Sequence, residues 1–186
     1  MKHSLVSFTR FALVTAVVLL GNSARAEDKE KSKPVELELI KASIGVWDAA
    51  CEVWPQGRDK ESVKFKGVET NRAFGEYWLA SDFESEFMGQ VSKVHSIVGY
   101  DLNQGKLVGK IIDHGPYMAT MTGDYDQKAK TTTWTTKVKT SSGKPMEQKT
   151  TVTLKSADKR LLVLSMLNQN TKKFSEFMRI TYTRRK

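Results

Sequence analysis

Beyond Gly45 the chain repeats one pattern about ten times: a short run with period-two alternation, closed by turn residues. The runs are roughly 46–54, 62–73, 77–87, 90–100, 106–113, 117–125, 131–139, 146–155, 160–167 and 173–183. Between them stand turn formers such as Pro55-Gln56-Gly57, Met88-Gly89, Gly115-Pro116, Ser141-Ser142-Gly143 and Ala157-Asp158-Lys159. No connection is long enough for a crossover helix, so successive strands pair antiparallel. An open sheet leaves two bare edges, and closure removes them. The expected fold is therefore all-β, an antiparallel up-and-down barrel of about ten strands.

Side chains alternate across a strand, which sorts most runs into two faces. Trp47, Ala49, Cys51 and Val53 share one face of the first run. Val63, Phe65 and Gly67 oppose Lys64 and Lys66 in the second, and Tyr77, Leu79, Phe83 and Phe87 oppose Asp82, Glu84 and Glu86 in the third. Leu107, Gly109 and Ile111 share a face in the fifth, Tyr117, Ala119 and Met121 in the sixth, and Phe174, Met178, Ile180 and Tyr182 in the last. The fourth and ninth runs carry apolar residues on both faces, so alternation does not assign them.

The N-terminal quarter has a different character. Lys2 and Arg10 form a basic leader, Phe11 to Leu20 is apolar or small apart from Thr15, and Ala24-Arg25-Ala26 is a small-x-small site. Those are the three parts of a secretory signal, and the apolar run is short of the ~20 residues that span a bilayer. The expectation is a signal over 1–26 and an exported protein, periplasmic or extracellular. Residues 27–33 are almost entirely charged and read as a solvated tether, leaving 34–186 as the single barrel domain. Pro34 opens a short helix to about Ser43, whose apolar stripe suits a lid on one barrel end.

With the ordered runs in place, a resemblance appears. Gly45-Val46-Trp47 after a short helix resembles the opening of calycin-type barrels such as lipocalins. Gly67-Val68-Glu69-Thr70-Asn71, Gly99-Tyr100-Asp101, Gly123-Asp124-Tyr125-Asp126 and the ending Ile180-Thr181-Tyr182-Thr183-Arg184 resemble, in order and spacing, the bacterial domain of unknown function 1579 family. The resemblance runs from about Val35 to the C-terminus. It implies a calycin-like barrel and no particular activity. Phe74-Gly75-Glu76-Tyr77 and Ile111 depart from the family's pattern, where a Gly-Gly-Arg turn and a Trp are usual. Haem-binding barrels of the nitrobindin type share the Gly-x-Trp opening but use a proximal His late in the chain, and no His follows His114. No cofactor is expected.

Function is read from the polar residues that parity places inside. Glu69, Asn71, Asp113, Gln148 and Glu176 fall on inner faces, with the hydroxyls of Tyr117 and Tyr182. A dry core does not accommodate such a set, because each unpaired buried polar group costs about 1–3 kcal/mol. Asn71 and Asp113 sit beside turns and read as mouth residues. The expected site is a small-molecule pocket with apolar walls from Phe65, Tyr77, Phe83, Met121 and Met178, and with Glu69, His95, Tyr117 and Glu176 orienting a partly apolar ligand.

Two alternatives stand beside it: a packed barrel that acts through a surface partner, and a hydrolase-like enzyme using interior carboxylates with His95. No nucleophile elbow, phosphate loop or metal-ligand spacing is present. The chain carries a formal charge of +9, some of which leaves with Lys2, Arg10 and Arg25. Lysines crowd the seventh and eighth runs, but Trp134 lies on the face opposite Lys137 and Lys139, which argues against nucleic acid. Weak contact with an anionic envelope surface is the remaining expectation.

Overall fold

The computed structural model describes residues 34–186 except 88, 114, 116, 117, 140–142, 144 and 170. The stretches read as signal and tether, and Tyr117, therefore lie outside the described residues. One helix, α1 (Glu36–Ser43), precedes ten strands: β1 (Gly45–Val53), β2 (Val63–Phe74), β3 (Trp78–Phe87), β4 (Gln90–Asp101), β5 (Lys106–Asp113), β6 (Met118–Asp126), β7 (Thr131–Lys139), β8 (Pro145–Ser156), β9 (Lys159–Leu167) and β10 (Phe174–Arg184). Each strand pairs with its sequence neighbours, and β1 pairs with β10 to close the barrel. All pairings are antiparallel, so the up-and-down barrel expected from the turn spacing is the observed fold.

Register follows the apolar alternation. Trp47, Ala49, Cys51 and Val53 stand opposite Glu69, Gly67, Phe65 and Val63 on β2, all facing inward. Inward glycines make room for rings: a Cβ on Gly67 would lie 2.7 Å from Phe83, and one on Gly123 would lie 2.8 Å from Trp134. These aromatic side chains lie against the inner wall of the neighbouring strand.

Helix α1 closes one end, as its apolar stripe suggests. Leu37 and Ile40 are buried on Leu79, with Tyr77, Val98 and Tyr100 packed around them. The carbonyls of the last helical turn have no intrahelical partners, and the barrel supplies them. The Arg184 guanidinium donates to the carbonyls of Ala42, at 2.7 Å, and Ile44, at 2.5 Å. The Ser43 carbonyl accepts from Trp47 Nε1 at 2.9 Å and from Asn71 Nδ2 at 3.0 Å. A cation at a helix C-terminus also complements the helix dipole. Arg184 lies 4.1 Å over the Trp47 ring, completing a plug of helix, indole and guanidinium. The opposite end carries the loops that join β1 to β2, β3 to β4, β5 to β6, β7 to β8 and β9 to β10.

Candidate functional site

The barrel interior has two zones. Next to α1 lies a polar cluster that alternation only half reveals. Arg160, the second residue of β9, pairs with Tyr182 on one side and Leu154 on the other, which turns it inward. It is 7 % exposed, and its guanidinium lies 4.5 Å over the Trp47 ring and 4.3 Å over the Tyr182 ring. It donates to Glu69, forming an ion pair across the interior. Asn71 Nδ2 donates to the same carboxylate at 2.7 Å. The Tyr182 hydroxyl also bonds to Glu69, and burial together with that negative charge holds its pKa well above the usual phenol range.

Beyond this cluster the interior has apolar and hydroxyl-lined walls. Trp47, Ala49, Cys51, Ile180 and Tyr182 form a buried group, with Phe65, Phe83, Leu162 and Met178 packed on it. On β3 and β4 the inward positions include two serine pairs, Ser81 with Ser96 and Ser85 with Ser92. On β7 and β8, Thr132, Thr136, Gln148 and Thr150 face inward beside Trp134 and Val152. None of these eight hydroxyl and amide side chains bonds to another described residue. Ser85, Thr132 and Thr136 are buried and the other five are half-buried. The inner wall along β3–β4 and β7–β8 is thus lined by hydroxyl and amide groups that have no protein partner among the described residues.

The structure places the expected site residues unevenly. Glu69, Phe65, Phe83, Met121 and Met178 face inward, and Tyr77 packs beneath α1. His95 does not: it pairs with Asp82 and Ile112 on the outer face. There its Nδ1 lies 2.7 Å from Asp82 Oδ1, and Arg72 bonds the other carboxylate oxygen at 2.5 Å. Those contacts, the His95 bond foremost, hold the Asp82 carboxyl below its ordinary pKa.

Glu176 is the second correction. Between Glu176 and Met178 the register shifts against β9, so Phe177 is an extra residue. A bulge changes which face the following residue presents. Met178 stays inside, while Glu176 turns out and accepts from Arg179 at 2.9 and 3.1 Å, with Arg58 at 3.8 Å. Asn71 is the third. It is 2 % exposed beneath α1 and not in the mouth. Asp113 is exposed at the opposite end, as read.

Sequence reasoning missed Arg160 and the serine pairs; Arg160, Ser92 and Ser96 lie on strands with apolar residues on both faces, whereas Ser81 and Ser85 share the inner face of β3 with Phe83. The short Ala157-Asp158 turn alone would set Arg160 opposite Lys155; the register shift between Leu154 and Ser156 sets it opposite Leu154 instead and turns it inward. Cys51 is buried on the inner face, and burial pushes its thiol pKa up to about 12. At neutral pH it is therefore expected to ignore thiol reagents in the folded protein and to react fully once urea unfolds it, which a colorimetric thiol assay with and without denaturant reads directly.

The matching family is that of the protein of unknown function DUF1579, over residues 35–184, and the chain belongs to it. Among solved structures it is similar to the S-type phycobiliprotein lyase CPES from Guillardia theta, at 11% identity and a TM-score of 0.55, covering 83% of this chain and 94% of that one. It is also similar to Rv2717c from M. tuberculosis, at 7% identity and a TM-score of 0.59, covering 82% and 99%. At such identities the likeness is one of fold, the calycin-like barrel. No curated protein matches the chain.

Proposed function

We propose that the protein is an exported barrel that binds a small, partly apolar molecule in its interior. The observation that carries this reading is the set of eight inward hydroxyl and amide groups that have no described protein partner. A packed core leaves such groups unsatisfied at about 1–3 kcal/mol each. A ligand or ordered water satisfies them.

The same interior suggests the ligand's charge. Its deepest ionised groups, Glu69 and Arg160, neutralise one another. A ligand carboxylate or ammonium placed beside them has no free counter-charge, so a neutral molecule is favoured. Phe65, Phe83, Met121 and Met178 offer apolar contact, while the serine and threonine rows offer hydrogen bonds along two walls. The enzyme reading loses its geometry, because His95 and Glu176 are outside and Glu69 is already bonded to Arg160, Asn71 and Tyr182.

Native mass spectrometry of the protein recovered from the cells that make it tests both halves. The expected result is a chain beginning at Glu27 carrying a small molecule that leaves on denaturation. A bare chain that also fails to take up a neutral apolar dye would overturn the binding half, and an intact N-terminus would overturn export.

A further inference from the structure

We infer that the polar cluster beneath α1 is a head-group subsite for a hydroxyl or a primary amide, so that the interior ligand is a neutral amphiphile held head-inward. This rests on the proposed binding of a partly apolar molecule in the interior. The cluster is incomplete in a specific way. Asn71 Nδ2 uses both its N–H groups, one on the Ser43 carbonyl at 3.0 Å and one on Glu69 Oε1 at 2.7 Å. Those bonds fix the amide and leave Asn71 Oδ1 buried with no donor among the described residues. Arg160 is held by Glu69 and by the Trp47 and Tyr182 rings, and its Nε is buried with no acceptor among the described residues. Glu69 accepts from Arg160, Asn71 and Tyr182, whereas a carboxylate has about four acceptor sites. Although both face inward, the Glu69 and Arg160 side chains keep 13% and 8% of their surface accessible, so a small group reaches them.

Buried polar atoms without partners are rare in folded proteins, and here two of them belong to side chains that bond the same carboxylate. What they lack defines the guest. Asn71 Oδ1 and the spare Glu69 site accept a hydrogen bond, and Arg160 Nε donates one. A hydroxyl or a primary amide both donates and accepts, so it answers all three. An ether oxygen only accepts. A carboxylate also only accepts and meets the Glu69 charge, while an ammonium only donates and meets the Arg160 charge. The apolar part of the guest finds its wall directly beside the head. Phe83 is the cross-strand partner of Glu69, and its ring lies over Gly67. Further from α1 on the same face of β2 stands Phe65, which packs with Phe83 and Met178 on the buried apolar group. The head therefore lies toward α1 and the tail runs away from it.

Displacement of the neutral dye phenylnaphthylamine by decyl compounds that differ only in their head tests the inference. The probes are 1-decanol, decanamide, decyl methyl ether, decanoate and decylammonium. Apolar burial alone ranks the ether at or above the alcohol. The expected order is the reverse: decanol and decanamide displace the dye at about tenfold lower concentration than the ether, and both ions are weaker than decanol. Glu69→Gln leaves one side-chain oxygen for the Arg160 and Asn71 donors, which removes the spare acceptor and strips Arg160 of its counter-charge. Decanol then loses its advantage over the ether, and decanoate becomes the tightest probe. Asn71→Ala removes the other acceptor, so the decanol advantage shrinks while the dye and the ether bind as before; a variant that failed to fold would lose all three together. Dye binding with decanol no better than the ether would overturn the subsite alone and leave an ordered water as its occupant. Decanoate as the tightest probe of the wild type would overturn the neutral head. A wild type that binds neither the dye nor any probe would overturn the interior reading itself.

Discussion

Replacing Arg160 by Met destabilises the protein by about 3–5 kcal/mol, because it strands the Glu69 carboxylate in the closed end of the barrel. Arg160 is 7 % exposed and is the cation that contacts Glu69. Its removal also takes away the partner stacked between Trp47 and Tyr182. Glu69→Gln in the same chain neutralises the stranded charge while keeping the amide within reach of Asn71, and it recovers most of the loss. Urea unfolding of wild type, Arg160→Met, Glu69→Gln and the double variant yields the coupling directly. A loss below about 1 kcal/mol for Arg160→Met would mean that the pair is solvated and the end is not closed as described.

Replacing Ser96 by Trp is expected to have the opposite balance, with little cost in stability and a large cost in binding. Ser96 faces inward between Ser81 and Ile111, and its hydroxyl has no described partner. In a filled core a side chain of that size forces neighbours off their rotamers, at about 1–3 kcal/mol or more. In a wet cavity it displaces water. Stability therefore changes by less than about 1 kcal/mol, while affinity for a neutral apolar ligand falls by at least about tenfold, equivalent to roughly 1.4 kcal/mol.

The barrel was legible because period-two alternation and short turns leave few other folds. Each observed strand lies within a residue or so of its expected run, and α1 caps one end. Parity also placed Glu69 correctly, because β2 has lysines on one face and Phe65 and Gly67 on the other. It failed where parity itself breaks. Glu176 is turned out by the extra residue Phe177, and no residue type there announces a bulge.

It was silent where both faces are apolar. On β4, Val94 and Val98 face in and Ile97 faces out, so alternation gave His95 no side, and its expected place inside was wrong. On β9, Leu161 and Val163 face out beside Leu162 and Leu164 facing in, which hid Arg160. Asn71 was misjudged for another reason. Its position beside a turn suggested solvent, but α1 folds over it and takes its amide as a donor to Ser43. The turn from helix to barrel is a tertiary contact that local pattern does not contain.

The most direct test of the central claim is a phenylnaphthylamine titration of the wild-type protein alongside Ser96→Trp. Saturable binding by the wild type, weakened at least about tenfold in a variant that unfolds at nearly the same urea concentration, is the predicted result. No binding by the wild type, together with strong destabilisation of Ser96→Trp, would show a filled barrel and contradict the account.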